Sequence, residues 1–252
     1  MGKNSLGDAF HVTYNGVQDS NVGVSYSNKG LHVSNRPSIP AAREVVNTFT
    51  IPGRDGTLNI RDGSVEDITI TVEFSFTAYP DTWQEMAYAI RDWLLGHVGA
   101  VLRFSDLSGI FYKVKRVELS EVSRAYKKVG TISVAFICDG YQYLDSGLIA
   151  VSPGTITNAY AISHPTYNIT GNGVCTLTVG SKSITATVSQ NLTVDTDRMM
   201  AYRLDSGRGV INNTALAMGN YSYRSLWLPH GSTSVSASSG FTLEIVPNWR
   251  RL

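Results

Sequence analysis

Ile68-Thr69-Ile70-Thr71-Val72-Glu73-Phe74-Ser75-Phe76-Thr77 decides the fold of this chain. Ile68, Ile70, Val72, Phe74 and Phe76 fall on one side of an extended backbone, and Thr69, Thr71, Glu73 and Ser75 on the other. Strict period-two alternation of β-branched and aromatic residues predicts a half-buried strand with its apolar side turned inward. Tyr79-Pro80 ends it, because proline has no N–H for the ladder.

A helix follows directly. Trp83, Met86, Ala87, Ile90, Trp93 and Leu94 recur at steps of three and four, which makes one apolar stripe. Thr82-Trp83-Gln84-Glu85 has the spacing of a capping box, and Gly96 stands where a left-handed C-cap is expected. Beyond Leu102-Arg103-Phe104-Ser105-Asp106, the segment Phe111 to Val122 changes phase near Arg116, which predicts a β-bulge. A turn at Arg124 to Gly130 then returns the chain through Ile132, Val134, Phe136 and Cys138, so the two strands form a long hairpin. Upstream, Val46 to Ile60 holds Thr48, Phe49, Thr50 and Ile51 before Pro52-Gly53-Arg54-Asp55-Gly56. That order predicts a second hairpin whose turn has a left-handed glycine at residue 56.

Composition changes near residue 145. Residues 1–145 carry 14 Lys/Arg and 16 Asp/Glu, and residues 146–252 carry 7 and 4. The break falls in the turn-rich stretch Asp145-Ser146-Gly147 to Ser152-Pro153-Gly154, so domains are expected at 1–145 and 146–252. The second is expected to be short strands: Thr166–Thr170, Val174–Val179, Ser183–Val188, Leu192–Val194, Met200–Leu204, Gly209–Ile211, Tyr221–Leu228, Thr233–Ala237 and Phe241–Val246. Turns are expected at Gly171-Asn172-Gly173, Gly180-Ser181-Lys182, Asp205-Ser206-Gly207, Pro229-His230-Gly231 and Ser238-Ser239-Gly240. Such spacing without helical periodicity indicates an antiparallel sandwich. The fold class is therefore mainly β, with one helix in the first half.

Charged residues make up 16% of the chain and the net charge is +1, so no global field attracts nucleic acid. The N-terminal Met1 to Asp8 lacks the apolar core of a signal peptide, and no run of 18 apolar residues predicts a membrane span. Two cysteines, Cys138 and Cys175, form no disulfide framework.

Catalytic and cofactor motifs are missing. Five histidines show no metal-ligand spacing, and there is no HExxH, no GxSxG elbow and no P-loop, so no cofactor is expected. Asp195 with Asp197, and Asp55 with Asp62, read as turn-forming aspartates that bond their own backbone rather than as an acid–base pair. Tyr221, Tyr223 and Trp227 alternate along one expected strand, which leaves sugar stacking as an alternative use of the second half. A sandwich hydrolase whose catalytic set is visible only in three dimensions is a third reading.

Ile51-Pro52-Gly53-Arg54-Asp55-Gly56, the strand and helix with Trp93-Leu94, Leu102 to Asp106, and Phe136-Ile137-Cys138-Asp139-Gly140-Tyr141 together resemble the distal tail protein (Dit) family of siphophages. Trp227-Leu228-Pro229-His230-Gly231 and the closing Ile245-Val246-Pro247-Asn248-Trp249-Arg250 resemble it too. Asp139-Gly140-Tyr141 departs from the family's more usual Pro-Tyr ending. The resemblance implies a non-enzymatic structural hub at the distal end of the virion tail, assembled in the host cytoplasm. Its first domain would be a split barrel or sandwich, and its second galectin-like. Six copies would form a ring that joins the major tail protein to the tail-associated (Tal) protein. Receptor-binding or upper baseplate proteins would dock outside, and DNA would pass through a channel without being read in a sequence-specific way. On this reading the subunit contacts are expected at Phe49, Ile51, Gly53, Arg54, Asp55 and Gly56.

Overall fold

The structure, a computed structural model, describes residues 10–97, 99–124, 126–205 and 208–252. Met1 to Asp8, Ala125 of the expected turn and the Ser206-Gly207 turn lie outside the described residues. The chain divides into two compact units, one ending at Gln142 and one spanning Tyr143–Arg251. Both are built on antiparallel sheet, and the described residues contain a single α-helix.

In the first unit the Ile68–Ala78 strand is central. It pairs with Val129–Cys138 on one side and Ser27–Val33 on the other. Beyond Val129–Cys138 lie Ile110–Leu119, Ala100–Phe104 and Val12–Tyr14 in turn. Ile68, Ile70, Val72, Phe74 and Phe76 are all buried, and so are Ile132, Val134, Phe136 and Cys138 opposite them. Met86, Ile90, Trp93 and Leu94 of the Trp83–Leu94 helix join the same core. Trp93 meets the edges of Tyr14 and Phe74 at 6.0 and 5.8 Å, and its indole N–H donates to the Tyr14 carbonyl.

The bulge expected near Arg116 is present one residue earlier. Ile137 pairs with Arg116 but Cys138 pairs with Val114, so Lys115 is the extra residue. The bulge aims the Lys115 ammonium at Asp67 (2.6 Å) and Asp139 (3.0 Å). The helix start differs from the sequence expectation. Thr82 makes no capping bond; its hydroxyl donates to the Tyr26 carbonyl, and a 3-10 turn over Pro80–Thr82 leads into the helix instead. At the other end Leu95 is the C-cap and Gly96 follows it at φ +82°, the left-handed glycine expected there.

The second unit is organised by one hairpin of two 14-residue strands, Thr166–Val179 and Lys182–Asp195. The expected turn at Gly171-Asn172-Gly173 does not form. The strand bends there without breaking: Gly171 has φ +151° and Gly173 φ +111°, opposite Gln190 at φ +69°. The Phe241 ring lies over Gly171, where an added Cβ would sit 2.5 Å from it. Before the bend the strand pairs with Thr242–Val246, and after it with Gly231–Ala237. One hairpin thus serves both parts of a curled sheet that closes over Tyr167, Ile169, Leu177, Leu226, Leu228 and Ile245.

The expected strand over Tyr221–Leu228 is absent too. Tyr223–Leu226 is a 3-10 turn capped reciprocally by Ser222 and Ser225. The serine pair supplies local hydrogen bonds that compete with a ladder.

Candidate functional site

Two strands stand apart from both large sheets. Glu44–Thr50 and Thr57–Val65 pair only with each other, as a hairpin arm. Its root is held by the Glu66 N–H, which donates to the Arg43 carbonyl. Its tip is a tight turn in which the Arg54 N–H donates to the Ile51 carbonyl (3.2 Å). Pro52 and Gly53, the latter at φ +81°, occupy the two central positions, the residue pattern of a type II turn. Gly56 follows at φ +77°, the left-handed glycine that the sequence predicts.

Directly opposed residues in an antiparallel pair share a face. Phe49 pairs with Leu58 and Asn47 with Ile60, so Phe49, Leu58 and Ile60 lie together, with Ile51 continuing the alternation at the tip. Phe49 is 50% exposed and Ile60 48%. The other face is mostly polar, with exposed Val46 among it: the Thr48 hydroxyl donates to Asn59 (2.9 Å), and Arg61 pairs with Glu44 (3.1 Å). An isolated two-stranded ribbon is at best marginally stable in water. This ribbon also leaves Phe49, Ile51 and Ile60 exposed within the chain, while Leu58 is partly buried.

The arm brings the six sequence-derived contact residues to one end: Phe49 and Ile51 on the apolar face, Gly53, Arg54, Asp55 and Gly56 in the turn. Leu58 and Ile60 belong to the same face but were missed. Their signal was present, because strand partners mirror each other about the turn centre between Gly53 and Arg54. The Asp62 side chain lies outside the described residues.

The aromatics of the alternative reading are not assembled into a platform. Tyr223 is in the 3-10 turn, packed against the core, and burial raises its phenol above the ordinary tyrosine range. The Trp227 ring stacks on His164 at 3.9 Å and its N–H donates to the Thr196 carbonyl. Tyr221 is exposed and outside any strand.

His164 sits in a structural clip. Arginine can only donate, so the His164 Nε2 that lies 2.7 Å from an Arg250 guanidinium nitrogen must accept. Nδ1 therefore carries the proton and donates to Asp197 at 2.8 Å. Asn248 and Arg250 also donate to the carbonyls of His164 and Ile162, which ties the Ile245–Arg250 motif to the segment before Thr166. Asp195 accepts from the backbone N–H groups of Asp197 and Arg198, the turn role read from the sequence. Among the described residues no group of three or more His, Cys, Asp or Glu side chains converges. No helix among them is long and apolar enough to cross a membrane.

Residues 17–138 match the family described as phage tail protein RIFT-related domain. No curated protein matches the chain by sequence. Among solved structures, the chain is similar to the Dit (gp 19.1) protein of phage SPP1, described as a paradigm of the hub adsorption apparatus in phages that infect Gram-positive bacteria. That similarity has a TM-score of 0.62 at 15% identity and covers 97% of this chain and 100% of the other. It is also similar to a chain of the phage P2 baseplate in its activated conformation with Ca, at a TM-score of 0.56 and 8% identity, over 97% and 99% of the two chains. The same baseplate with Sr gives the same values. The first unit therefore belongs to the phage tail RIFT-related family, and across both units the chain has the fold of the siphophage distal tail proteins that its sequence resembles.

Proposed function

We propose that the chain is a structural hub of a phage tail tip. Six copies form a ring that joins the major tail protein above to a tail-associated protein below, with a central channel through which DNA passes. The first unit, residues 1–145 in the sequence division, makes the ring. The second, galectin-like unit faces outward and docks receptor-binding or baseplate proteins.

The observation that carries this reading is the free-standing arm. It projects from a unit of phage tail family, Phe49, Ile51 and Ile60 on one of its faces are exposed, and its strands pair only with each other. A heterologous contact, the arm of one copy on the body of the next, closes into a ring when the rotation allows it. The near-neutral charge fits a conduit that does not retain passing DNA. Carbohydrate binding has less support, since Tyr223 and Trp227 are engaged inside their own unit.

The test is mass in solution. A closed ring of six 27.4 kDa chains runs at about 164 kDa in light scattering and shows six-fold rings by electron microscopy. A monomer at every concentration, with no ring formed when tail tube protein is added, would remove the reading.

A further inference from the structure

The arm joins its unit through very little chain. Its second strand ends at Val65 and the central strand begins at Ile68, so Glu66 and Asp67 alone separate them. On the other side the arm begins at Glu44, after residues 34–43, none of which lies in a strand. A ribbon on so short a base can pivot there, so contacts at the base must set its direction. The bond from the Glu66 N–H to the Arg43 carbonyl holds the two strands to each other. A charged contact ties the base to the sheet.

That contact comes from the bulge. The register slip leaves Val114 and Val117 packed on the core, with Lys115 and Arg116 between them and both exposed. Arg116 turns to Glu118 at 2.9 Å. Lys115 is left for the base of the arm: its ammonium donates to Asp67 at 2.6 Å and lies 3.0 Å from Asp139, just past the Val129–Cys138 strand. The Asp139 N–H donates to the Lys113 carbonyl, so the sheet carries that carboxylate while the arm carries Asp67. Desolvation alone would lower the Lys115 ammonium. Its hydrogen bonds to Asp67 and Asp139 outweigh that effect and hold the group above the ordinary lysine range.

The three side chains are 51%, 42% and 22% exposed for Lys115, Asp67 and Asp139, and ion pairs so open to water add little to stability. Their effect is on geometry. Two carboxylates within 3.0 Å of one nitrogen repel each other once that nitrogen is gone, which pushes the base of the arm off the sheet.

We propose that Lys115 is the positioning residue of the arm. By bridging Asp67 on the arm to Asp139 on the sheet, it fixes the direction in which Phe49, Ile51 and Ile60 are presented to a neighbouring copy. What the arm engages rests on the ring reading, but the direction of the arm belongs to the single chain and is measured on it.

The experiment reads the distance between spin labels at Thr57→Cys, on the arm, and Thr71→Cys, on the exposed side of the central strand. Labelled full-length chains are diluted into unlabelled protein, so that only distances within one chain register. Cys138 and Cys175 are buried and take no label. The otherwise wild-type chain should give one narrow distance. Lys115→Met and Lys115→Gln should lose it to a broad distribution, and Lys115→Arg, which keeps the charge, should retain it. Rising salt should broaden the wild type and leave Lys115→Met unchanged, because exposed charges are screened. In light scattering, Lys115→Met should weaken self-association by about threefold or more, with its urea midpoint unchanged. A narrow, salt-independent distance in both neutral variants overturns the proposal and leaves the ring reading standing. A broad distance with undiminished assembly also overturns it, since the arm would then need no aiming. A wild type that stays monomeric, yet passes from narrow to broad on loss of Lys115, removes the ring reading and leaves the clamp in place.

Discussion

Gly140 lies directly beneath the carbonyl of Glu66, so close that an added Cβ would sit 2.3 Å from that oxygen and 2.6 Å from the Val65 methyl. Glu66 is the residue whose N–H anchors the arm to Arg43. The glycine in Asp139-Gly140-Tyr141, where the sequence departs from its family's usual ending, is therefore a packing requirement at the arm root. Gly140→Ala should destabilise the first unit by about 1–3 kcal/mol, the usual cost of forced overpacking, and should reduce assembly. Urea unfolding and light scattering measure the two effects. An unchanged denaturation midpoint would show that the root moves aside freely.

Phe49→Asp with Ile60→Asp should separate stability from assembly. Both side chains are about half exposed, so the fold should change by no more than about 0.5 kcal/mol, as for surface sites generally. The ring should be lost. Deletion of Thr57 to Asp62 removes one arm strand and should have the same outcome; a stable hexamer after that deletion would exclude the arm as the subunit contact.

Arg250→Met breaks the clip to His164 and the Ile162 carbonyl. The guanidinium is nearly fully buried, and its removal leaves acceptors unpaired at a cost of about 1–3 kcal/mol. The second unit should lose stability while the first does not, so calorimetry should resolve two transitions where the wild type shows closer ones. A uniform shift of both would contradict the division into two units.

Cys138 should be unreactive while the protein is folded. Burial, together with the nearby carboxylates of Asp139 and Asp67, pushes its thiol up from 9.0 to about 12. The folded state then holds the proton more tightly than the unfolded one. Its contribution is fully present below pH 9 and is lost as pH rises toward 12, with a slope of up to about 1.4 kcal/mol per pH unit. An aromatic disulfide reagent at pH 8 should titrate no thiol natively and two in denaturant, since Cys175 is also buried. Rapid native labelling of Cys138 would contradict its burial.

Periodicity made the first unit legible. The Ile68 strand, the helix stripe from Trp83 to Leu94 and the slip at Lys115 are written in side-chain alternation, which acts through burial and survives any tertiary context. Local chemistry was less reliable. Gly171-Asn172-Gly173 has the composition of a turn, yet it is a bend, because the ring of Phe241, just before the Thr242–Val246 strand, lies over the bare backbone of Gly171. Thr82 has capping spacing, yet Tyr26 takes its hydroxyl. Both outcomes depend on partners far away in sequence. The arm was legible as a hairpin, and once its turn centre is fixed between Gly53 and Arg54 the register that pairs Phe49 with Leu58 follows.

The clip around His164 sets an order of events during synthesis. Every strand on the main path of the first unit's sheet, from Val12–Tyr14 to Ser27–Val33, has emerged by Cys138, so that path can form while the ribosome is still making the rest. The second cannot close at that stage, since the Thr166–Thr170 stretch waits for Thr242–Val246, and His164 for Arg250. Until residue 250 emerges, the long hairpin carries an open edge and a bare apolar face, the features that invite mispairing between nascent chains. Bonds internal to the second unit thus bear on how exposed the nascent chain is as well as on the stability of the finished fold.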